Sequence, residues 1–231
     1  MLSTRTSVIV PVRNGVRFIR EGLDSALQQL APDDEVVVVD DASTDATLSV
    51  LSRMQDQRIH VLAGSGRGVS SARNIGLAAA SGAFIAFLDH DDLWPPERHA
   101  VLLQALMADP SIDCAIGRLR IRMEHDAIAL PQLAGMEGRL ASNLSLCTAL
   151  FRRRILDAVG WFDENMPFCE DTDYFVRLVE CNYRVVSCDI DALIYRRHST
   201  NATCDVQGSE HGVIELIRRR RARLSSRKTG A

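Results

Sequence analysis

Three carboxylates follow a short apolar run in the first half of the chain. The run is Phe84–Leu88, and Asp89, Asp91 and Asp92 come directly after it. Carboxylates gathered at the end of a buried strand are costly unless a cation binds them. Mg²⁺ and Mn²⁺ take few protein carboxylates and complete their shells with phosphate oxygens. The spacing therefore predicts a divalent-metal site for a diphosphate ligand, and a solvated acidic loop that caps the next helix is the alternative.

Further polar residues stand at the ends of other apolar runs. Asn14 follows the first run, and Asp40 and Asp41 end the second. Open parallel sheets bind their ligands beyond the carboxyl ends of the strands. We therefore expect these residues to meet Asp89 to Asp92 at one edge of a sheet. A turn that caps a helix is the alternative role for the segment after Asp40.

The elements that must position these residues alternate in the first half. Short runs rich in β-branched and aromatic residues predict four buried strands, at Ser7–Val12, Glu35–Val39, Arg58–Leu62 and Phe84–Leu88. Apolar residues at steps of three and four predict helices between them, over Val16–Leu30, through Leu48, Leu51 and Met54, and over Val69–Ala80. Repeated βα units predict an α/β fold with a Rossmann-like, mainly parallel central sheet flanked by helices.

The second half has a looser, α+β pattern. A helix is predicted over Pro95–Asp109, a strand over Cys114–Met123 and a loop-rich insertion over Glu124–Asn143. We predict one domain over residues 1–208 and a basic C-terminal helix over residues 209–231. A solvated helix is the simplest interpretation of this tail. Contact with an anionic membrane surface is a second interpretation, because each basic residue near such a surface contributes about 1 kcal/mol.

Composition and charge are those of an ordinary globular protein. Of the 231 residues, 46% are apolar and 25% charged, and the net charge of −3 provides no basic field for wrapping nucleic acid. The six cysteines include no C-x-x-C pair, so we expect reduced thiols rather than disulfides or a zinc site. No apolar run approaches the ~20 residues that span a bilayer, and no signal peptide is evident. A cytoplasmic location is expected, with peripheral attachment to the inner face of the membrane as an option.

Four motifs, taken in order, make the sequence resemble the family 2 glycosyltransferases. They are SVIVPVRN at 7–14, VVDDASTD at 38–45, LDHDD at 88–92 and EDTD at 170–173. GVSSARNIG at 68–76 and VGWFDE at 159–164 resemble the intermediate blocks of the family. The resemblance covers roughly Ser7–Thr203. It implies a GT-A fold, with a nucleotide-sugar-binding half at residues 1–110 and an acceptor-binding half at residues 111–208.

The resemblance also implies an activity. Such an enzyme uses Mn²⁺ or Mg²⁺ and moves one hexose, with inversion, from a nucleotide-sugar donor to a saccharide or lipid-linked saccharide acceptor. UDP is the commonest donor nucleotide of the family, whereas Asp41 alone leaves dTDP and GDP open. The Q-x-x-R-W block and the membrane helices of processive polysaccharide synthases do not occur in this sequence. Their absence from the sequence favours a single transfer per encounter.

The resemblance assigns residues to the donor and the metal. Asp41 would accept a hydrogen bond from the donor's base, and Arg73 would pair with donor phosphate, with the neighbouring acids or in a surface ion pair. Asp92 would be the direct metal ligand, and His198 would approach the metal or the diphosphate, with a structural histidine as the alternative. The implied donor-binding set is Pro11, Asn14, Asp41, Arg73, Asp89 and Asp91, and the implied metal set is Asp91, Asp92 and His198.

Asp171 matches the general base of the family. A carboxylate away from the metal can accept the proton of the acceptor hydroxyl, while the metal offsets the charge of the leaving diphosphate. The alternative role for Asp171 is an N-cap of a helix over Tyr174–Cys181, and Glu170 is the neighbour most easily confused with it. Two departures concern base packing, because Arg13 stands where the family commonly has an aromatic residue and Ala42 replaces a common glycine.

Two other functions stay open. A phosphotransferase of the haloacid dehalogenase type would use Asp89 and Asp91 as nucleophile and acid, but it would leave the other motifs unexplained. A non-catalytic nucleotide-sugar-binding domain would bind donor without transfer, and the retained acids argue against it. A Rossmann dehydrogenase fits poorly, because Gly64–Gly68 lacks the G-x-G-x-x-G spacing.

Overall fold

Eight strands form a single sheet in the described part of the chain. The computed structural model describes residues 4–127, 140–141, 145–201 and 204–229. The strands are β1 (Thr6–Val12), β2 (Glu35–Asp40), β3 (Ile59–Ala63), β4 (Phe84–Phe87), β5 (Cys114–Met123), β6 (Leu140–Ala141), β7 (Ala149–Arg152) and β8 (Val185–Arg197). Their order across the sheet is β3-β2-β1-β4-β7-β5-β6, and β8 lies beside β5.

Helices cover this sheet and connect its strands. They are α1 (Ile19–Leu27), α2 (Thr47–Leu51), α3 (Val69–Ala79), α4 (Arg98–Ala108), α5 (Arg153–Val159), α6 (Glu170–Glu180) and α7 (Val206–Thr229). The predicted α/β class, with a mainly parallel sheet flanked by helices, is confirmed.

The first four strands pair only in parallel. β1 lies between β2 and β4, and β3 continues beyond β2. Every residue of β1, β2 and β4 is buried, as expected for strands that helices cover on both faces. This order places the carboxyl ends of β1, β2 and β4 side by side, so the polar residues that follow them share one edge, as predicted.

The second half adds mixed pairing. β7 is antiparallel to both β4 and β5, whereas β8 runs parallel to β5. A bridge between Leu93 and Ile194 joins the segment after β4 to β8. The end of β8 is thereby brought to the carboxyl edge of the sheet, next to the acidic residues that follow β4.

Several predicted element bounds are wrong. α1 begins at Ile19 rather than Val16, because the backbone N–H groups of Phe18 and Ile19 both bond to the Gly15 carbonyl in a turn. α2 ends at Leu51 and excludes Met54. α6 begins at Glu170, ahead of the predicted start. Most of the predicted insertion Glu124–Asn143, namely residues 128–139 and 142–143, lies outside the described residues.

The basic tail forms α7, which lies against α6 and the loop before it. Arg219 pairs with Asp163, and Arg223 pairs with Asp173 at 2.8 Å and with Glu180 at 3.2 Å. On the other face of α7, four apolar side chains are 41–49% exposed, namely Val213, Ile214, Ile217 and Leu224. The tail is therefore a docked helix whose outer face exposes four apolar side chains among charged residues. Of the helices described, none is long and apolar enough to cross a bilayer.

Candidate active site

Asp41 anchors the glycine-rich loop between β3 and α3. Its side chain is buried, and its two carboxylate oxygens accept hydrogen bonds from Gly66 N at 2.7 Å and Gly68 N at 2.8 Å. A Cβ at Gly64 would lie 2.8 Å from the Asp41 Cα, so only glycine fits at that position. Each carboxylate oxygen has a second lone pair. Asp41 can therefore hold this loop and still accept one further donor.

Asn14 joins the end of β1 to the loop after β2. Its backbone has a left-handed φ of 53°, its N–H donates to Ser43 Oγ at 2.9 Å, and its Oδ1 accepts from Thr44 N at 2.8 Å. Pro11 lies three residues earlier in β1, and the Asp41 N–H bonds to the Val12 carbonyl at 2.7 Å. The structure thus brings Pro11, Asn14 and Asp41 together at adjacent strand ends.

Asp91 faces His198 from across the sheet edge. The Asp91 Oδ2 and His198 Nε2 atoms are 3.0 Å apart, and Asn201 Nδ2 donates to the same oxygen at 3.3 Å. The ring of Phe18 covers the imidazole, with centroids 4.5 Å apart. Burial alone would raise the pKa of Asp91, but the hydrogen bond to His198 and the charge of His90 bring it below the ordinary value. Asp91 is therefore held as a carboxylate.

Asp92 has different surroundings. It is 1% exposed, and its Oδ1 accepts the backbone N–H of Arg196 at 2.9 Å. Burial raises its pKa well above the ordinary value, and the nearby charges of Asp91 and Asp89 add to the effect. The Arg196 side chain donates to the Asp91 carbonyl and pairs with Glu21. Asp92 thus ties the loop after β4 to β8.

Arg73 connects two acids of the site. Its side chain is 4% exposed, with Nη1 2.7 Å from Glu170 Oε1 and Nη2 2.9 Å from Asp89 Oδ1. Burial disfavours the cation, yet Asp89 and Glu170 outweigh that cost and raise the pKa of Arg73 above its ordinary value. Of the three pairings considered for Arg73, the structure contains the one with neighbouring acids.

Asp171 lies inside the first turn of α6. The residue before the helix is Cys169, with a φ of 60°, so the N-cap interpretation of Asp171 is wrong. The Asp171 Oδ1 accepts the N–H of Thr172 at 2.7 Å. Burial, reinforced by Glu170 and opposed by Arg73, raises the pKa of Asp171 to about 6. A carboxyl group with a pKa near neutrality suits a proton acceptor.

Two residues near the site carried no sequence-based assignment. His90 lies against Gly15, where a Cβ would be 2.6 Å from the His90 Cδ2, so the imidazole lies beside the turn that follows β1. Asn201 Oδ1 accepts a hydrogen bond from the backbone N–H of His198 at 2.6 Å, and its Nδ2 donates to Asp91 Oδ2 at 3.3 Å. The position of Asn201, three residues after His198, was the available sequence signal for its contact with Asp91.

Asp91 and His198 carry side-chain atoms of the kinds that divalent metals bind. The 3.0 Å between Asp91 Oδ2 and His198 Nε2 is a hydrogen-bond distance, and Asn201 Nδ2 lies 3.0 Å from the same Nε2, so a bound ion would have to replace these contacts. The Thr200 hydroxyl lies 2.9 Å from the His198 Nδ1 and can orient the ring. Among the described residues, no three His, Cys, Asp or Glu side chains group as a metal site. Substrate oxygens or water would have to supply the other ligands.

Comparison with known proteins identifies similar chains. The succinoglycan biosynthesis protein ExoO of Rhizobium meliloti is 34% identical over 194 residues, which are 76% of this chain and 56% of ExoO. The crystal structure of S. aureus TarS 1–349 in complex with UDP has a TM-score of 0.68 and 25% identity, covering 83% of this chain and 60% of that one. The chain therefore spans little more than half the length of these proteins.

A second solved structure is also similar. The mannosyltransferase PcManGT from Pyrobaculum calidifontis, in complex with GDP-Man and Mn²⁺, has a TM-score of 0.63 and 25% identity, covering 83% of this chain and 56% of that one. The family model described as glycosyl transferase family 2 matches residues 7–160. That match includes three of the four motifs and most of the chain. The protein belongs to glycosyltransferase family 2.

Proposed function

We propose that this chain transfers one hexose per encounter from a nucleotide-sugar donor to an acceptor hydroxyl, with inversion of the anomeric centre. One observation carries the proposal. The Asp91–His198 pair and the Asp171 carboxyl belong to one connected cluster, because Arg73 bridges Asp89, two residues before Asp91, and Glu170, next to Asp171. A leaving-group site and a proton acceptor that lie close together are what an inverting transfer requires.

Asp91 and His198 are the residues that we propose hold Mn²⁺ or Mg²⁺. The contact between a carboxylate and an imidazole at the edge of the sheet where the acids after β4 lie supports this assignment. Asp92 stays in the proposed metal set, but its bond to Arg196 N supports a role in fixing the loop rather than in facing the donor. The bound ion would offset the negative charge that develops on the leaving diphosphate.

The donor nucleotide is proposed to lie between the ends of β1 and β2. Asp41 has lone pairs for a base N–H, while Pro11 and Asn14 form the adjacent wall. Asp89 would border the donor through its exposed side. Arg73 is buried and bonded to two acids, so its contribution to donor binding is to hold Asp89. UDP is our preferred nucleotide, since TarS was solved with UDP, and GDP is the first alternative, since PcManGT was solved with GDP-Man.

The acceptor hydroxyl would lose its proton to Asp171. The oxygen then attacks the anomeric carbon from the face opposite the diphosphate, so that the new glycosidic bond forms as the old bond breaks. A saccharide or lipid-linked saccharide of a polysaccharide precursor is the proposed acceptor, supported by the similarity to ExoO. A haloacid-dehalogenase reaction is not supported, because Asp89 is already bonded to Arg73.

A donor panel tests the proposal. Thermal unfolding of the chain is measured with UDP-, dTDP- and GDP-sugars, each with Mn²⁺, with Mg²⁺ and with chelator. We expect one nucleotide class to raise the melting temperature in metal and not in chelator. If no donor shifts the transition in either metal, the proposed function fails. Release of phosphate from generic esters, unaffected by Asp171→Asn, would favour the phosphotransferase instead.

Contact with an anionic membrane is a further element of the proposal. Arg219 and Arg223, on the inner face of α7, pair with acids of the rest of the protein. The outer face combines exposed apolar residues with Arg221 and with Arg218, which lies 3.8 Å from Glu215 of the same helix. Such a mixed face suits a lipid–water interface. We expect sedimentation with anionic vesicles, weaker binding to neutral ones, and loss of binding in Ile217→Glu. Equal sedimentation of both proteins with anionic vesicles would contradict this element.

A further inference from the structure

We propose that Arg73 is the positioning residue that selects Asp171, rather than its neighbour Glu170, as the proton acceptor. Arg73 holds the Glu170 carboxylate in an ion pair and leaves the Asp171 carboxyl available to the acceptor. The inference rests on the proposed function, in which Asp171 is the general base. It adds a reason why one of two adjacent acids performs that role.

The two acids differ in their partners. Glu170 Oε1 lies 2.7 Å from the Arg73 Nη1, so Glu170 is committed to a buried cation. Asp171 accepts hydrogen bonds from Thr172 N at 2.7 Å and from Thr172 Oγ1 at 3.3 Å, both at the same oxygen, Oδ1. Within the described ranges, no basic side chain lies within ion-pair distance of Asp171. Its carboxyl group is therefore the one available to a substrate hydroxyl.

Arg73 is fixed in place from more than one direction. Its guanidinium carbon lies 5.7 Å from the centre of the Phe162 ring, and its Nη2 reaches Asp89 at 2.9 Å. The next residue, Asn74, donates to Phe162 O at 3.0 Å and accepts from Phe162 N at 2.9 Å. α3 is thereby locked to the loop that leads to α6. This frame determines which of the two acids at the start of α6 the guanidinium reaches.

The charges around Asp171 act in opposite directions. Burial raises the pKa of Asp171, Glu170 and Asp89 raise it further, and Arg73 lowers it; the thiol of Cys169 is another titratable neighbour. Removing the negative neighbour and removing the positive neighbour should therefore shift the Asp171 titration in opposite senses. A residue that only stabilises the fold would not produce such a signed pair of shifts.

The experiment follows the Asp171 carboxyl by ¹³C NMR in the full chain with labelled aspartate, and Asp171→Asn identifies the signal. We expect Glu170→Gln to lower the titration midpoint and Arg73→Met to raise it, each by about one pH unit. Arg73→Lys should lie between Arg73→Met and the wild type. The double variant should return toward the wild-type midpoint. Arg58→Met removes another arginine–carboxylate pair, with Asp56 before β3, and should leave the midpoint unchanged.

Shifts in the same direction, or no shift, in Glu170→Gln and Arg73→Met would overturn the inference. If Arg73→Met does not fold, Arg73→Lys and Glu170→Gln still show whether the two substitutions shift the Asp171 titration midpoint in opposite directions. The acid limb of the pH profile of kcat/KM should follow the same shifts. If the Asp171 midpoints move as expected and the rate profile does not, Asp171 is not the base. In that case the assignment of Asp171 as the base fails, the selection by Arg73 fails with it, and only the electrostatic effect of Arg73 on Asp171 stands.

Discussion

Asp91 and Asp171 are the same residue type in one cluster that Arg73 connects through Asp89 and Glu170, and their surroundings shift their pKa values in opposite directions. Asp91 bonds to His198 and Asn201, and its pKa falls below the ordinary value. Asp171 lies beside Glu170, and its pKa rises to about 6. The pKa of one aspartate is thus lowered and that of the other is raised, which suits the proposed roles of metal ligand and proton acceptor. Partners, rather than residue type, divide these roles.

The partners of the two aspartates also come from different distances along the chain. Asp91 depends on the end of β8, more than a hundred residues later. Asp171 depends on the adjacent Glu170 and on Arg73, which Phe162 and α3 hold in place. Changes at the two sides should therefore separate binding of the donor from transfer of the sugar. Substitutions on each side of the cluster test that separation.

Asp171→Asn should lower the transfer rate by about 10² to 10⁴-fold, because amide nitrogen and oxygen cannot accept the hydroxyl proton. Donor affinity should change little, since Asp91 and His198 are untouched. Wild-type transfer should also decline as the pH falls below about 6, where Asp171 becomes protonated. Initial rates against pH and donor titrations measure both effects. If Asp171→Asn transfers the sugar at the wild-type rate, Asp171 is not the proton acceptor.

Asp91→Asn should weaken metal-dependent donor binding by about 100-fold or more, because it removes the charged ligand that faces His198. The Asp171 titration should not move. Donor binding is measured calorimetrically with Mn²⁺ and with chelator. Asp157→Asn, at an exposed position of α5, is the matched control and should bind as the wild type does. Unchanged binding in Asp91→Asn would remove Asp91 from the metal site.

His198→Gln should weaken metal binding by about 10 to 100-fold, less than the loss of a charged ligand. The imidazole is neutral when it binds a metal, so its removal costs one bond but no charge. Mn²⁺ titrations followed by electron paramagnetic resonance measure the effect without a donor. Thr200→Val, which removes the hydroxyl 2.9 Å from the His198 Nδ1, should produce a smaller change in the same direction. A Mn²⁺ affinity in His198→Gln equal to that of the wild type would limit His198 to a structural role.

The sequence predicts the first half of the fold well because local patterns determine it. Runs of β-branched and aromatic residues mark β1, β2 and β4, and helical spacing marks α3 to within one residue. Because these strands are buried on both faces, their continuous apolar runs are enough to predict them. The shared edge for Asn14, Asp41 and Asp91 then follows from parallel pairing.

Contacts between distant segments are what the sequence could not supply. Asp91 and Asp92 are neighbours with the same side chain, yet one faces His198 and the other bonds to the backbone of Arg196. Their separation depends on the path of β8 over the loop after β4. The early start of α6 likewise depends on the left-handed Cys169, a conformation that nothing in its residue type predicts.

The smallest effect is on stability, and it should oppose the effect on transfer. The pKa of Asp171 is about 6 in the folded protein, above the ordinary 3.8, so the folded state binds this proton more tightly than the unfolded state. Stability therefore falls as the pH rises from about 4 to about 6, and above that range the charge costs about 1 to 3 kcal/mol. Asp171→Asn avoids this cost and should unfold a few degrees higher than the wild type at pH 8, but not at pH 4 or below. Asp157→Asn should show no such gain. If Asp171→Asn is less stable than the wild type at pH 8, the surroundings of Asp171 in the wild-type protein stabilise its carboxylate instead of destabilising it.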